Sequence, residues 1–198
     1  ADFGFAVGPR LNAAGRLDDM SIGIACLLTD DYTEAQKMAQ DLNDTNVNRR
    51  AIETEMKDYA LNLDSLYTTK YSKVAYGDDF HEGVVGIVAS RIKDMFYRPT
   101  IVFAPALEEG LIKGSGRSIK EVNLRDALDT VYKRKPHIIH KFGGHAMAAG
   151  ITIHKEYLQE FCEELDKSIY EIVGDAELNN EKYLDFELPG YEITIDNA

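Results

Sequence analysis

The sequence predicts an α/β protein in which a long connecting helix leads into a small mixed sheet flanked by helices. Three observations carry this reading. Ala35, Met38, Ala39, Leu42, Ile52, Met56, Tyr59, Ala60, Leu63 and Leu66 recur at helical spacing through a stretch free of Gly and Pro. From about Tyr71 to Val173, short apolar runs alternate with amphipathic segments, the pattern of strands and helices in one mixed unit. At 198 residues, the chain can form one ordinary domain with a substantial extra element, or two small domains.

In chain order, residues 1–31 hold Gly8-Pro9-Arg10-Leu11-Asn12-Ala13-Ala14-Gly15-Arg16, in which Asn12–Gly15 reads as a loop, and then the short apolar helix Ile22–Leu28. This zone has too little apolar material for its own core and starts without Met, so it is expected to be the end of an upstream domain. Residues 32–70 are the connecting helix, with Thr33 as N-cap and a length of about 50 Å. Asn43 to Arg50 interrupts its apolar stripe, as expected of a solvent-spanning connector.

Residues 71–175 are the mixed unit. They give a strand Lys73–Tyr76, a helix Val84–Phe96, a strand Pro99–Phe103, a strand Leu111–Ser115 and a helix capped by Asn123 running through Val131. Strands at Ile138-Ile139 and Ile151–Ile153 then flank a glycine-histidine turn, and an amphipathic helix spans Tyr157–Val173 with Leu158, Phe161, Leu165, Ile169 and Ile172 on one face. Residues 176–198 are an acidic, solvated tail whose Leu184–Leu188 and Ile193–Ile195 read as the first strands of a truncated further domain.

The formal charge of −12 argues at first against nucleic acid, but its distribution reverses the argument. Gly110 to His145 carries eight Lys and Arg against three acids, with His137, His140 and His145 in addition, whereas Lys155 to Ala198 carries thirteen acids against three Lys. A local basic patch can hold phosphate whatever the global charge. No apolar stretch approaches a membrane span and no signal peptide is present at the start, so the expected compartment is the cytoplasm. Cys26 and Cys162 are far apart and form no CxxC, which argues against a disulfide framework or a zinc site.

Two constellations carry candidate chemistry. Phe142-Gly143-Gly144-His145-Ala146-Met147-Ala148-Ala149-Gly150 combines paired glycines, which let a backbone approach a ligand, with a histidine that can offer a ring N–H to an anion. The same residues also suit a tight strand-to-strand turn with a bulge. In Lys113-Gly114-Ser115-Gly116-Arg117-Ser118, a strand would point Ser115 and Arg117 to one face, where a hydroxyl and a guanidinium suit one phosphate. The spacing is not that of a P-loop. Arg10 and Arg16 flank small residues that also permit close approach of an anion. His81-Glu82-Gly83-Val84-Val85-Gly86 lacks the second His of a zinc HExxH and fits a helix N-terminus instead. No Asp/His cluster suited to two divalent ions occurs, and no nucleophilic triad is convincing.

Taken together, the segments Arg10–Arg16, His81–Arg91, Lys113–Ser118 and Phe142–Gly150, with Leu42-Asn43, Asn46 and Arg49 between them, resemble the RecJ-like single-stranded-DNA-specific exonucleases of the DHH phosphoesterase superfamily. The resemblance implies a C-terminal fragment: residues 1–31 the end of the DHH catalytic domain, 32–70 the long connecting helix, 71–175 a DHHA1 domain and 176–198 a tail toward a following domain. It implies 5′→3′ exonuclease action on single-stranded DNA in repair and recombination. Mn²⁺ or Mg²⁺ would be held by upstream motifs absent here, so the fragment itself should bind no metal and be inactive. Arg10, Arg16, Ser115, Arg117 and Ser118 would bind the 5′ phosphate or nearby backbone, with Gly143, Gly144 and His145 lining the cleft near the scissile phosphate. Single-strand-binding protein or a helicase are implied partners. A DHH nano-RNase or nucleotide phosphatase, and a non-catalytic nucleic-acid-binding relative, are the alternatives.

Overall fold

The computed structural model describes residues 3–61 and 66–180. The expected strands at 184–188 and 193–195, and Leu63, lie outside the described residues.

One π-helical turn, Phe3–Val7, leads into α1 (Gly8–Leu17) and α2 (Ser21–Leu28). The segment Asn12 to Gly15, expected as a loop, is therefore helical. Pro9 occupies the first turn, where its missing N–H costs nothing, and Ala13 and Ala14 are buried there.

Helix α3 (Tyr32–Leu61) runs unbroken for 30 residues, or about 45 Å. Its cap is Asp31 rather than Thr33: the Asp31 carboxylate accepts from the Thr33 N–H at 2.8 Å and the Glu34 N–H at 3.0 Å. The polar middle of α3 is not a solvent gap. Asn43 accepts from Arg10 Nε at 3.1 Å, which fastens α1. Buried Asn46 accepts from Arg49 Nη2 at 3.2 Å, Arg49 pairs with Glu53 at 2.7 Å, and Glu53 pairs with Arg91 of the following helix at 3.1 Å. The expected connector is thus packed along its length, on α1 and α2 by one half and on α4 by the other.

The sheet follows: β1 (Leu66–Thr68), β2 (Lys73–Tyr76), α4 (Val85–Phe96), β3 (Thr100–Pro105), β4 (Leu111–Arg117), α5 (Leu124–Arg134), β5 (Ile139–His145), β6 (Ala148–His154), a 3₁₀ turn Lys155–Tyr157 and α6 (Leu158–Val173). The strands stand in the order β1-β2-β3-β4-β6-β5. Only β2 and β3, joined through α4, are parallel, which makes the sheet mixed. Strand β1 is additional to the expected strands, and Leu66, expected at the end of the helical stripe, lies in it. Gly143 to His145 belong to strand β5, so the hairpin turn is at Ala146-Met147 rather than at the glycines.

Alternation along the strands sends side chains to two cores. Val74, Ile101, Phe103, Ile112, Ile151 and Ile153 pack against α5 and α6, with the Phe103 and Phe161 rings edge to face at 5.6 Å. Ala75, Val102 and Ala104 pack on the opposite face against α4 and the C-terminal turns of α3. Asp166 of α6 accepts from the Tyr71 and Ser72 N–H groups at 2.8 and 2.9 Å, pinning the start of β2. The start of the acidic tail is docked rather than solvated: Leu178 is buried in the first core and its carbonyl accepts from Arg98 at 2.7 Å.

Because Phe161 is fully buried against Phe103, Phe161→Ala is expected to cost about 3–5 kcal/mol. Urea unfolding followed by circular dichroism checks this, and a loss under about 1 kcal/mol would contradict the assigned core.

Candidate nucleic-acid interface

Strand β4 separates two tasks by alternation. Gly114 and Gly116 face the α5/α6 core, where an added Cβ would sit 2.6 Å from the Phe103 ring and 2.6 Å from Leu124 Cδ2. Lys113, Ser115 and Arg117 therefore face the α4 side. Arg117 Nη1 donates to Ser115 Oγ at 2.8 Å and to the Gly116 carbonyl at 2.8 Å, so the guanidinium is aimed along its own strand.

Helix α4 and the turn before it meet these elements through Gly86 and Gly83. A Cβ at Gly86 would lie 2.8 Å from Arg117 Nη2 and 3.0 Å from Ser115 Oγ, and a Cβ at Gly83 would collide with the Arg16 carbonyl oxygen. The missing side chains let α1, α4 and β4 converge. Arg16 Nη1 donates to the Gly83 carbonyl at 3.2 Å. The N-terminus of α4 is ordered by His81, whose Nδ1 accepts from the Gly83 N–H at 3.1 Å and whose carbonyl accepts from Val84 and Val85.

The result is a cleft of about 320 Å³ lined by Gly15, Arg16, Glu82, Gly83, Gly86, Lys113, Ser115 and Arg117. Its one acid, Glu82, is taken by Lys113 at 2.9 Å. Among the described residues, neither Arg16 nor Arg117 has a carboxylate partner. Burial first, and then the Arg16 charge, lower the pKa of Arg117 from its ordinary value. Two guanidiniums and a hydroxyl beside the positive end of a helix form a set of donors that suits an anion. A larger cavity of about 440 Å³, between α3 and the loop after β2, is lined by Glu55, Asp78 and Asp79 and has the wrong sign for phosphate.

Arg16, Ser115 and Arg117 come together; Arg10 and Ser118 do not join them. Arg10 points to Asn43 and to the Ala6 carbonyl, at 3.1 and 2.7 Å, and joins α1 to α3. Ser118 is buried and donates to the Val122 carbonyl at 2.7 Å, so its hydroxyl closes the turn after β4 and is not offered to a ligand. Gly83 and Gly86 belong to the site as well as to the helix entrance that the sequence predicts; the small residues around Arg16 are the signal that something packs closely there.

The paired strands extend the same face. Ser115 lies opposite Gly150, which lies opposite Gly143; Arg117 lies opposite Ala148, which lies opposite His145. A Cβ on Gly143 or Gly150 would meet nothing within 4 Å, so this floor is open. Gly144 faces the other way at φ +149°, where a side chain would be strained and would collide with the Ala148 carbonyl. The hairpin tip is fixed by Ser118 and Leu124, whose N–H groups donate to the Met147 and Ala146 carbonyls at 2.9 Å each. His145 Nδ1 accepts from the Met147 N–H at 3.3 Å, which leaves Nε2 to donate outward.

No three His, Cys, Asp or Glu side chains gather as a metal-ion ligand set among the described residues. The donor set here does not fit a divalent cation. No helix among the described residues is long and apolar enough to cross a membrane.

Residues 68–171 match the DHHA1 domain family. The whole chain is 41% identical to the single-stranded-DNA-specific exonuclease RecJ of Haemophilus influenzae and 44% identical to that of Escherichia coli, over 203 aligned residues each. It spans 35% of the length of either relative. Its fold matches RecJ from Thermus thermophilus in complex with Mg²⁺ at a TM-score of 0.75 and 29% identity, over 86% of this chain and 26% of that one. It also matches exonuclease RecJ bound to manganese at 0.72 and 28%, over 89% of this chain and 44% of that one.

Since Gly83 is in contact with backbone rather than a movable side chain, Gly83→Ala is expected to push α1 from α4 and cost about 1–3 kcal/mol. Thermal melting together with limited proteolysis of α1 checks this; an unchanged Tm and an unchanged cleavage pattern would refute the close approach.

Proposed function

This chain belongs to the RecJ family, and on that premise we propose that it is the substrate-holding part of a metal-dependent 5′→3′ single-stranded-DNA exonuclease of DNA repair and recombination. The observation that carries the reading is the cleft in which Arg16 and Arg117 meet with no carboxylate paired to either among the described residues. Such a pair is stable in company with an anion, and a terminal phosphate offers enough acceptor oxygens to engage both guanidiniums and the Ser115 hydroxyl.

In this reading residues 1–31 close a DHH catalytic domain, α3 carries the connection, the sheet unit is the DHHA1 domain, and a further domain follows beyond about Glu181. The cleft holds the 5′ end while Gly143 and His145 line the path beyond it. Bound metal in the whole enzyme would activate water for phosphodiester cleavage; this chain's residues orient the strand. A cytoplasmic location and contact with single-strand-binding protein or a helicase accompany the same reading. Identity of 41–44% across the entire chain favours it over a nano-RNase or nucleotide phosphatase.

Arg117→Ala is expected to weaken binding of a 5′-phosphorylated oligonucleotide by roughly 1.5–3 kcal/mol and to abolish its advantage over a 5′-hydroxyl strand. Fluorescence anisotropy with both strands checks this, and an undiminished preference for the phosphorylated strand would overturn the assignment. The purified chain with Mn²⁺ is expected to release no nucleotides from end-labelled single-stranded DNA. Metal-dependent release would show that hydrolysis needs nothing further.

A further inference from the structure

We propose that Lys141 forms a second backbone-phosphate subsite, on β5, across the open glycine floor from the Arg16–Arg117 cleft. The inference rests on the cleft reading above and extends it to a residue that no motif singled out.

Strand pairing places the side chains. Lys113 lies opposite Thr152, which lies opposite Lys141, one row along from Ser115, Gly150 and Gly143. Directly opposed residues share a face, so Lys141 stands on the same side of the sheet as Ser115 and Arg117. Helix α4 packs chiefly on β3 and β4, and on that side Thr152 of β6 is buried while the row at Gly150 and Gly143 is open. Lys141, Gly143 and His145 are all exposed on β5, and Gly150 is exposed on β6.

Charge and shape then name the occupant. Lys113 is held by Glu82, whereas Lys141 has no ion-pair partner among the described residues. Between the cleft and Lys141 the floor is Gly150 and Gly143, with no side chain to block a backbone lying flat on the sheet. Two strand spacings, about 10 Å, separate β4 from β5. Along β5, Lys141 and His145 stand about 7 Å either side of Gly143, and His145 Nε2 is free to donate to the same ligand. A strip with cationic ends, a bare centre and no unpaired acid is complementary to an extended polyanion, here a single nucleic-acid strand whose first phosphate sits in the cleft.

The test uses the full chain with a 5′-phosphorylated single-stranded dodecanucleotide and, separately, a nucleoside 5′-monophosphate, titrated at several salt concentrations. Lys141→Ala is expected to weaken the oligonucleotide by roughly threefold to tenfold and to flatten the log–log salt slope by about 0.7. Monophosphate binding should stay at the parent value. Lys141→Glu should weaken the oligonucleotide further. Unchanged oligonucleotide affinity and salt slope in Lys141→Ala would overturn the subsite, as would an equal loss for the monophosphate. Arg117→Ala separates the two ideas: if it loses the monophosphate while Lys141→Ala changes nothing, the cleft stands and the subsite falls. If Arg117→Ala binds the monophosphate normally, the cleft reading falls and takes the subsite with it.

Discussion

How closely three backbones approach one another sets everything at the interface. Helices α1 and α4 and strand β4 converge because Gly83 and Gly86 present no Cβ where the Arg16 carbonyl, the Ser115 hydroxyl and the Arg117 guanidinium sit. The approach brings two positive charges into one cleft, which like-charge repulsion opposes. Bonds outside the cleft help to hold the parts together: Arg10 on Asn43, and the Arg49–Glu53–Arg91 chain that ties α3 to α4. A structure that keeps two cations together without a carboxylate paired to either leaves the cleft ready for an anion. This is the physical content of preorganisation: the repulsion is already met before ligand arrives.

Strand β4 shows how fold and candidate function share one sequence without interfering. Its glycines admit Phe103 and Leu124 on the core face, and its Lys, Ser and Arg project from the other. A single-residue slip in register would exchange the two sets, burying a guanidinium and exposing the core. The many backbone bonds that fix β4 between β3 and β6 therefore also fix the chemistry. The hairpin β5–β6 is held in the same way, its tip tied to Ser118 and Leu124 by the carbonyls of Ala146 and Met147, so the small side chains there reflect a close fit of backbone to backbone.

Much of the fold was legible. Strand β2 stands where the alternation predicted it, and α4, α5 and α6 lie within a residue or two at most ends, because strong amphipathic periods survive any tertiary context. The differences have separate physical causes. Asn12 to Gly15 reads as a loop, but the packing of α1 on α3, with Ala13 and Ala14 buried, holds it in the helix. Arg10 and Ser118 have the right chemistry and the wrong direction: one is consumed by Asn43, the other by the Val122 carbonyl. Strand β1 is three residues long, too short to show a period of two.

By itself, then, the sequence determined the fold class, the order of elements and the residue types able to hold phosphate, since these follow from local spacing and from chemistry written in each side chain. Only the tertiary structure decided which of them meet. Arg16 and Arg117 are a hundred residues apart in the chain, and Lys141 faces their side of the sheet only through the pairing of β4 with β6 and of β6 with β5. Such meetings are set by long-range register and by helix approach, quantities that no local pattern encodes.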